Sequence, residues 1–339
     1  MATDIDTDVA IIGAGPVGLF AVFELGMLKL SSVLIDALSE VGGQCAALYP
    51  EKPIYDIPAH PAIDAGALVT QLERQIAPFA APRLLGRRVT GLAGEAGAFV
   101  VTTEQGDAVR CKAVVIAAGG GAFGPNRPPL EGLAQYEASG AVQYYVRRRE
   151  DLRGKRVVIA GGGDSAVDWA LALRDIARVS VVHRRAKFRA APESAAQLDA
   201  AARGGEIEMV IPYQLHALHG SDGVLRDVEV ATLQGETRRL AADVLLPFFG
   251  LSMDLGPIAA WRLDRDLHHV KIDPATCQTS MAGVFAIGDV ATYSGKLKLI
   301  LQGFSEAAVA AHAIFGVVHP GEALHFEYST TKGLPGGVR

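Results

Sequence analysis

The sequence predicts an α/β protein built from two Rossmann-like, three-layer nucleotide-binding domains. Three observations carry this. A strand–glycine turn–helix–strand unit opens the chain, a second begins at Lys155, and the last third returns to one strand and a long helix. That order implies an outer domain split by insertion of an inner one. The expected division is 1–121 and 249–325 for the outer domain, 122–248 for the inner one, and 326–339 for a C-terminal tail.

In the first unit, "DVAII" reads as a strand over 8–12, "GAGPVGLF" as the turn into a helix over about 16–29, and "SVLID" as a strand over 32–36. Gly13, Gly15 and Gly18 have separate tasks: a tight turn, an open approach for a pyrophosphate, and close packing of helix on strand. Val17 lies in the first helical turn, whose N–H groups and positive dipole end favour an anion. Asp36 closes the second strand. A carboxylate there accepts hydrogen bonds from ribose hydroxyls and repels a 2′-phosphate, so the first site suits FAD or NAD. A Gly-, Pro- and Tyr-rich loop follows, then a helix near 66–76 and alternating stretches that read as a hairpin and a returning strand.

The turn-dense segment "GGGAFGPNRPPLEG" reads as the crossing into the inner domain. There the expected strand (156–160), turn, helix (164–177) and strand (179–183) surround Gly161, Gly163, Asp164, Ser165 and Ala166, a G-x-G-x-x-A pattern. Its second strand ends in His183 rather than an acid, followed by Arg184, Arg185, Lys187 and Arg189. Guanidinium groups in that position neutralise a 2′-phosphate with forked donors, so the second site reads as NADP(H). "GDSA" lacks the last glycine of a serine nucleophile elbow and lies where phosphate belongs. Two sites of opposite 2′ preference let a nicotinamide pass hydride to a second, tightly held redox cofactor.

Composition excludes other classes. With 339 residues, a net charge of −5 and half the residues hydrophobic, the chain has ample core and no bulk attraction for nucleic acid. No secretory signal is read at the N-terminus, and no apolar run reaches the ~18 residues of a membrane span. The expectation is a soluble, cytoplasmic protein. Cys45, Cys111 and Cys277 are far apart, with no C-x-x-C, and no histidine has metal-site companions, so no metal is expected.

The stretches "GGGDSAVDWA…VVHRRAKFRA", "GGQ" (42–44) and "TSMAGVFAIGDV" (279–290) resemble the NADPH and FAD motifs of thioredoxin reductases. The stretch where that family carries its redox C-x-x-C, "AVQYYVRRREDLRGKR", contains no cysteine. "CAALYPEKPIYDIPA" (45–59) and "HFEYSTTKG" (325–333) instead resemble ferredoxin–NADP⁺ reductases of the thioredoxin reductase-like type, over essentially the whole chain.

The resemblance implies an FAD domain split by an NADPH domain. It places Asp36, Gly43, Gln44, Tyr49, Val89, Phe123, Asp289 and Thr330 on FAD-contacting positions. Tyr49 falls where an aromatic stacks on one flavin face, and Tyr328 where a tail residue covers the other; ordinary packing is the other reading for both. It also implies a homodimer and a ferredoxin or flavodoxin partner, with hydride passing from nicotinamide to flavin without a general base. Docking of an acidic acceptor would need a local basic face, either Arg147, Arg148, Arg149 and Arg153, or Lys296 and Lys298 at the start of the last helix. Three alternatives remain open: another flavin disulfide-type reductase, an NADPH-dependent quinone, ferric or diaphorase-type reductase, and a non-catalytic nucleotide-sensing flavoprotein.

Overall fold

The computed structural model describes residues 2–324, with the backbone alone described at 122, 123 and 251–253. The chain forms two compact units, one from residues 2–123 with the described residues from 253 onward, the other from 124–252.

The first unit is organised on a five-stranded parallel sheet in the order Val284–Ala286, Ala113–Ile116, Val9–Ile12, Ser32–Asp36, Arg83–Leu85. Every residue of "VAII" and of "AVVI" is buried. This is why these strands read as continuous apolar runs: a parallel sheet covered on both faces has no polar side. Because the strands are parallel, with Val9 opposite Ser32 and Ala113, and Val114 opposite Val284, their carboxyl ends share one edge. Gly13, Asp36, Ala117 and Gly288 all emerge there.

The first helix, Pro16–Met27, packs against both the Ala65–Ile76 helix and the long Ile300–Val318 helix. Phe20 seals the last contact, its ring centroid 4.9 Å from that of Phe304. A four-stranded sheet, in the order Asp4–Asp6, Ala108–Cys111, Ala98–Thr103, Val89–Glu95, packs on the parallel sheet as a further layer.

The second unit repeats the plan at smaller scale. Its parallel sheet runs Ile207–Val210, Arg178–Val182, Arg156–Ala160, Val244–Pro247. Arg156 stands opposite Arg178 and Ala160 opposite Val182. The helices Asp164–Leu173 and Pro192–Arg203 pack on one another, and an antiparallel three-stranded sheet spans Gln214–Ala241.

Three helix limits differ from the sequence-based expectation by two residues or more, each for a local reason. The first helix stops at Met27 because Lys29 adopts a left-handed φ of 62°. The second ends at Leu173 in a tighter turn, with the Ile176 N–H donating to the Leu173 carbonyl at 3.0 Å. The last helix begins at Ile300, after a turn closed by the Lys296 N–H to the Tyr293 carbonyl.

One reading needs correcting. The Ile300–Val318 helix is long and apolar enough, by length and composition, to cross a membrane. It also contains buried Glu306 and packs on the first helix, so here it serves as a core helix.

Candidate functional site

In the first unit the carboxyl edge of the parallel sheet opens into a cavity of about 390 Å³, within the usual ~300–1,000 Å³ range of ligand sites. Gly13, Gly15, Val17, Asp36, Gly43, Gln44, Tyr49, Val89 and Asp289 line it. Gly15 caps the first helix in extended backbone, and no side chain bonds to the helix N-terminus. The orphan N–H groups of that turn are therefore left for a ligand.

Nothing lies within 4 Å of where a Cβ on Gly15 would stand, so the space is open for an anion. Gly18 has the opposite constraint. A Cβ there would come within 1.9 Å of the Gly13 carbonyl oxygen, so only glycine lets helix and strand close up. Gly18 accordingly supports the cavity from behind without lining it.

The Asp36 carboxylate accepts the Ala14 N–H at 2.6 Å and the Leu38 N–H at 2.8 Å. It thereby ties the end of the second strand to the glycine turn. Burial pushes its carboxyl above the ordinary range, against the pull of those two N–H donors. Asp289 is exposed toward the cavity at the opposite strand end.

Tyr49 and Cys45 form a hydrogen-bonded pair on the same wall, and burial raises both groups, the thiol to about 11 and the phenol well beyond its usual value. A thiol so raised stays protonated at neutral pH and is a poor nucleophile. Cys111 and Cys277 are likewise buried, each raised to about 12, with burial the first cause in both. These residues fit FAD: bare N–H groups for its pyrophosphate, a carboxylate for its ribose, and a buried aromatic wall.

The second unit has its own cavity of about 580 Å³, lined by Gly161, Gly163, His183, Arg184, Arg185, Lys187 and Arg189. Gly163 caps the Asp164–Leu173 helix with no side-chain bond to its N-terminus. The basic loop is stitched to the glycine turn from both sides. The Arg189 N–H donates to the Gly162 carbonyl at 2.6 Å, and the Ala191 N–H to Asp164 Oδ1 at 2.9 Å.

His183 stacks over the turn, so a Cβ on Gly162 would sit 2.2 Å from its ring. Burial, then the neighbouring arginines, push the His183 imidazole below its ordinary value. The fixed positive charge of the site therefore comes from the exposed arginines and Lys187.

Not every expected residue reaches a cavity. Asp164, Ser165 and Ala166 flank the second one without lining it. Asp164 anchors the basic loop, and Ala166 is fully buried behind Gly161. The Phe123 side chain, Tyr328, Thr330 and the tail 326–339 lie outside the described residues.

The expectation of Lys296 as a docking charge is overturned. Its side chain is only 5% exposed and is ion-paired to Glu306 at 2.5 Å, whereas Lys298 is exposed. In the other basic run, Arg153 pairs with Glu150 and Arg148 lies 3.9 Å from Asp151.

Sequence reasoning passed over Arg87, Arg88 and 254–258 in the first cavity, and Tyr213, Gln214, Leu215 and Phe248–Gly250 in the second. None carries a local motif. The one available signal was position, since 254–258 and 248–250 flank the return of the chain to the outer unit.

Residues 7–313 match the family described as pyridine nucleotide-disulphide oxidoreductase. The chain is 76% identical over 337 residues to a ferredoxin–NADP reductase of Acidiphilium cryptum, covering 99% of each. It is 75% identical over 333 residues to one of Granulibacter bethesdensis, covering 98% of this chain and 95% of the relative. The fold is similar to thioredoxin reductase of Lactococcus lactis, with a TM-score of 0.79 at 23% identity, over 92% of this chain and 99% of that one. Thioredoxin reductase of T. acidophilum gives 0.80 at 21%, over 92% and 98%.

Two outcomes are expected at these sites. A ribose bound at Asp36 would donate to its carboxylate, so protonation of that carboxylate would compete with FAD. FAD affinity should fall as the pH drops through that raised pKa, and Asp36→Asn should weaken binding and flatten its pH profile. Flavin fluorescence titrations of both chains at neutral and mildly acid pH check this; parallel profiles would contradict it. Arg184→Ala with Arg189→Ala should raise KM for NADPH about tenfold or more, since charge-assisted bonds contribute ~1.5–3 kcal/mol. Steady-state assays should find KM for NADH nearly unchanged.

Proposed function

The chain belongs to the pyridine nucleotide-disulphide oxidoreductase family, and on that premise we propose that it is a ferredoxin–NADP⁺ reductase holding FAD in the first unit and NADP(H) in the second. The observation that carries this is the pair of glycine turns with opposite charge at the end of the following strand: Asp36 in one, His183 with Arg184, Arg185 and Arg189 in the other. The kinship to ferredoxin–NADP reductases over almost the full length supports the acceptor.

The chemistry that bound FAD would supply is acceptance of a hydride and release of electrons one at a time, which suits a one-electron acceptor. The chain's own part is binding and electrostatics. The helix N-terminus at Gly15–Val17 holds the FAD pyrophosphate, Asp36 the adenosine ribose, and Asp289 the ribityl and pyrophosphate region. Tyr49 forms one wall of the flavin site. Gly163 opens the NADP(H) pyrophosphate site and the arginines take the 2′-phosphate. No side chain has to move a proton for hydride transfer. Disulfide chemistry is disfavoured: among the described residues the three cysteines are separate, buried and free.

The working form is a soluble, cytoplasmic homodimer, and flavodoxin is a second acceptor. The buried free thiols fit a reducing compartment. The acceptor docks at exposed Lys298, flanked by Leu297, Leu299 and Leu301, which are 57%, 39% and 41% exposed. Ile300, in the same segment, lines the flavin cavity, so this surface is near the electron source.

Steady-state NADPH oxidation with ferredoxin, flavodoxin and thioredoxin compared side by side tests the reading. Ferredoxin should be reduced and thioredoxin not; the reverse result would sink the proposal. Steering is screened as the Debye length falls from ~10 Å at 0.1 M salt to ~3 Å at 1 M. Ferredoxin-dependent cytochrome c reduction should therefore fall with salt more than direct ferricyanide reduction does, and Lys298→Glu should lower the ferredoxin on-rate selectively.

A further inference from the structure

The long helix Ile300–Val318 contains one Asp, Glu, Lys or Arg in nineteen residues, and that residue, Glu306, is 3% exposed. A buried carboxylate in an apolar helix is costly unless its oxygens are fully engaged. They are. Oε2 accepts the backbone N–H of Gly288 at 2.8 Å, while Oε1 accepts Tyr293 O–H at 2.8 Å and Lys296 Nζ at 2.5 Å. Gln302 Nε2 donates in turn to the Tyr293 hydroxyl at 2.8 Å. The Lys296 charge compensates that of Glu306, and both side chains are almost completely covered.

The bond to Gly288 connects this network to the cofactor cavity. Gly288 has a left-handed φ of 74° and immediately precedes Asp289; both line the cavity. Its N–H is buried, so without Glu306 it would lose its acceptor. The turn is also clamped sterically. A Cβ on Gly303, one helical turn before Glu306, would come within 2.4 Å of Val17 and 3.3 Å of the Gly288 Cα. Glycine at 303 thus lets the helix approach closely enough for the Glu306 carboxylate to reach the turn. Helix, strand-end turn and glycine-turn helix meet at this point.

We propose that Glu306 is a positioning residue for FAD, holding the Gly288–Asp289 turn in its binding conformation through the Gly288 N–H, with Lys296 as its buried counter-charge. Glu306 lines no part of the cavity and acts through the turn. The inference rests on assigning the first cavity to FAD.

The test compares two charge-neutral double variants of the full-length chain purified with its flavin. Lys296→Met/Glu306→Gln keeps an acceptor oxygen for Gly288; Lys296→Met/Glu306→Leu removes it. FAD release on dilution, read by flavin fluorescence, should give a dissociation constant within about threefold of the unaltered chain for the first and at least about tenfold higher for the second, since the loss of one buried hydrogen-bond acceptor is of that order. NADP⁺ affinity in the other unit should stay the same in both, which a general loss of structure would not allow. Equal FAD affinity in all three chains, or an equal loss in both variants, would overturn the role of Glu306. Hydrogen exchange gives a second reading that needs no variant. The Gly288 amide in the unaltered chain should be as protected as that of Phe285 in the core strand, and rapid exchange would overturn the proposal. An unaltered chain without affinity for FAD would fail the cofactor assignment instead.

Discussion

A pyrophosphate can rest on a helix N-terminus only where backbone N–H groups are bare and no Cβ intervenes, and the first unit is arranged around meeting that condition at Gly13–Gly18. The open space beyond Gly15 and the missing side-chain cap supply the site. The contact of Gly18 with Gly13 sets the distance between helix and strand. That distance in turn requires a strand buried on both faces, hence the unbroken apolar runs and the parallel sheet. Parallel order then brings Asp36, Ala117 and Gly288 to the same edge, although they are far apart in sequence.

The second unit uses the same condition with the charge reversed. After the same turn and helix, its second strand delivers His183 and a run of cations where the first delivers a carboxylate. The loop carrying those cations is fixed by main-chain and Asp164 bonds to the glycine turn, so charge placement does not depend on the long side chains alone. The two units thus differ in charge at one strand end and the few residues after it, and the proposed cofactor discrimination rests on that difference.

The parts legible in the sequence are those encoded locally. Both glycine turns, Asp36, and the His183–Arg189 run could be read because strand, turn, helix and strand follow one another within about thirty residues, as in any βαβ unit. Lys296 was misread because its burial depends on Glu306, ten residues later on a different element, and no periodicity marks an ion pair formed across a turn. Arg87, Tyr213 and 254–258 reach the cavities through sheet order alone. The helix limits moved because single residues such as Lys29 adopt left-handed backbone, which propensity does not foretell. The single charge in the last helix was visible, but its meaning required the position of Gly288.

The proposed function turns on one event, hydride transfer from a 2′-phosphorylated nicotinamide nucleotide to the flavin. Anaerobic stopped-flow mixing of the flavin-loaded protein with NADPH or NADH, followed by the flavin's visible absorbance, tests it most directly. NADPH should bleach the flavin rapidly in a single turnover, with no acceptor present, and NADH at equal concentration much more slowly. A flavin that stays oxidised under NADPH, or that bleaches equally fast with both, would contradict it.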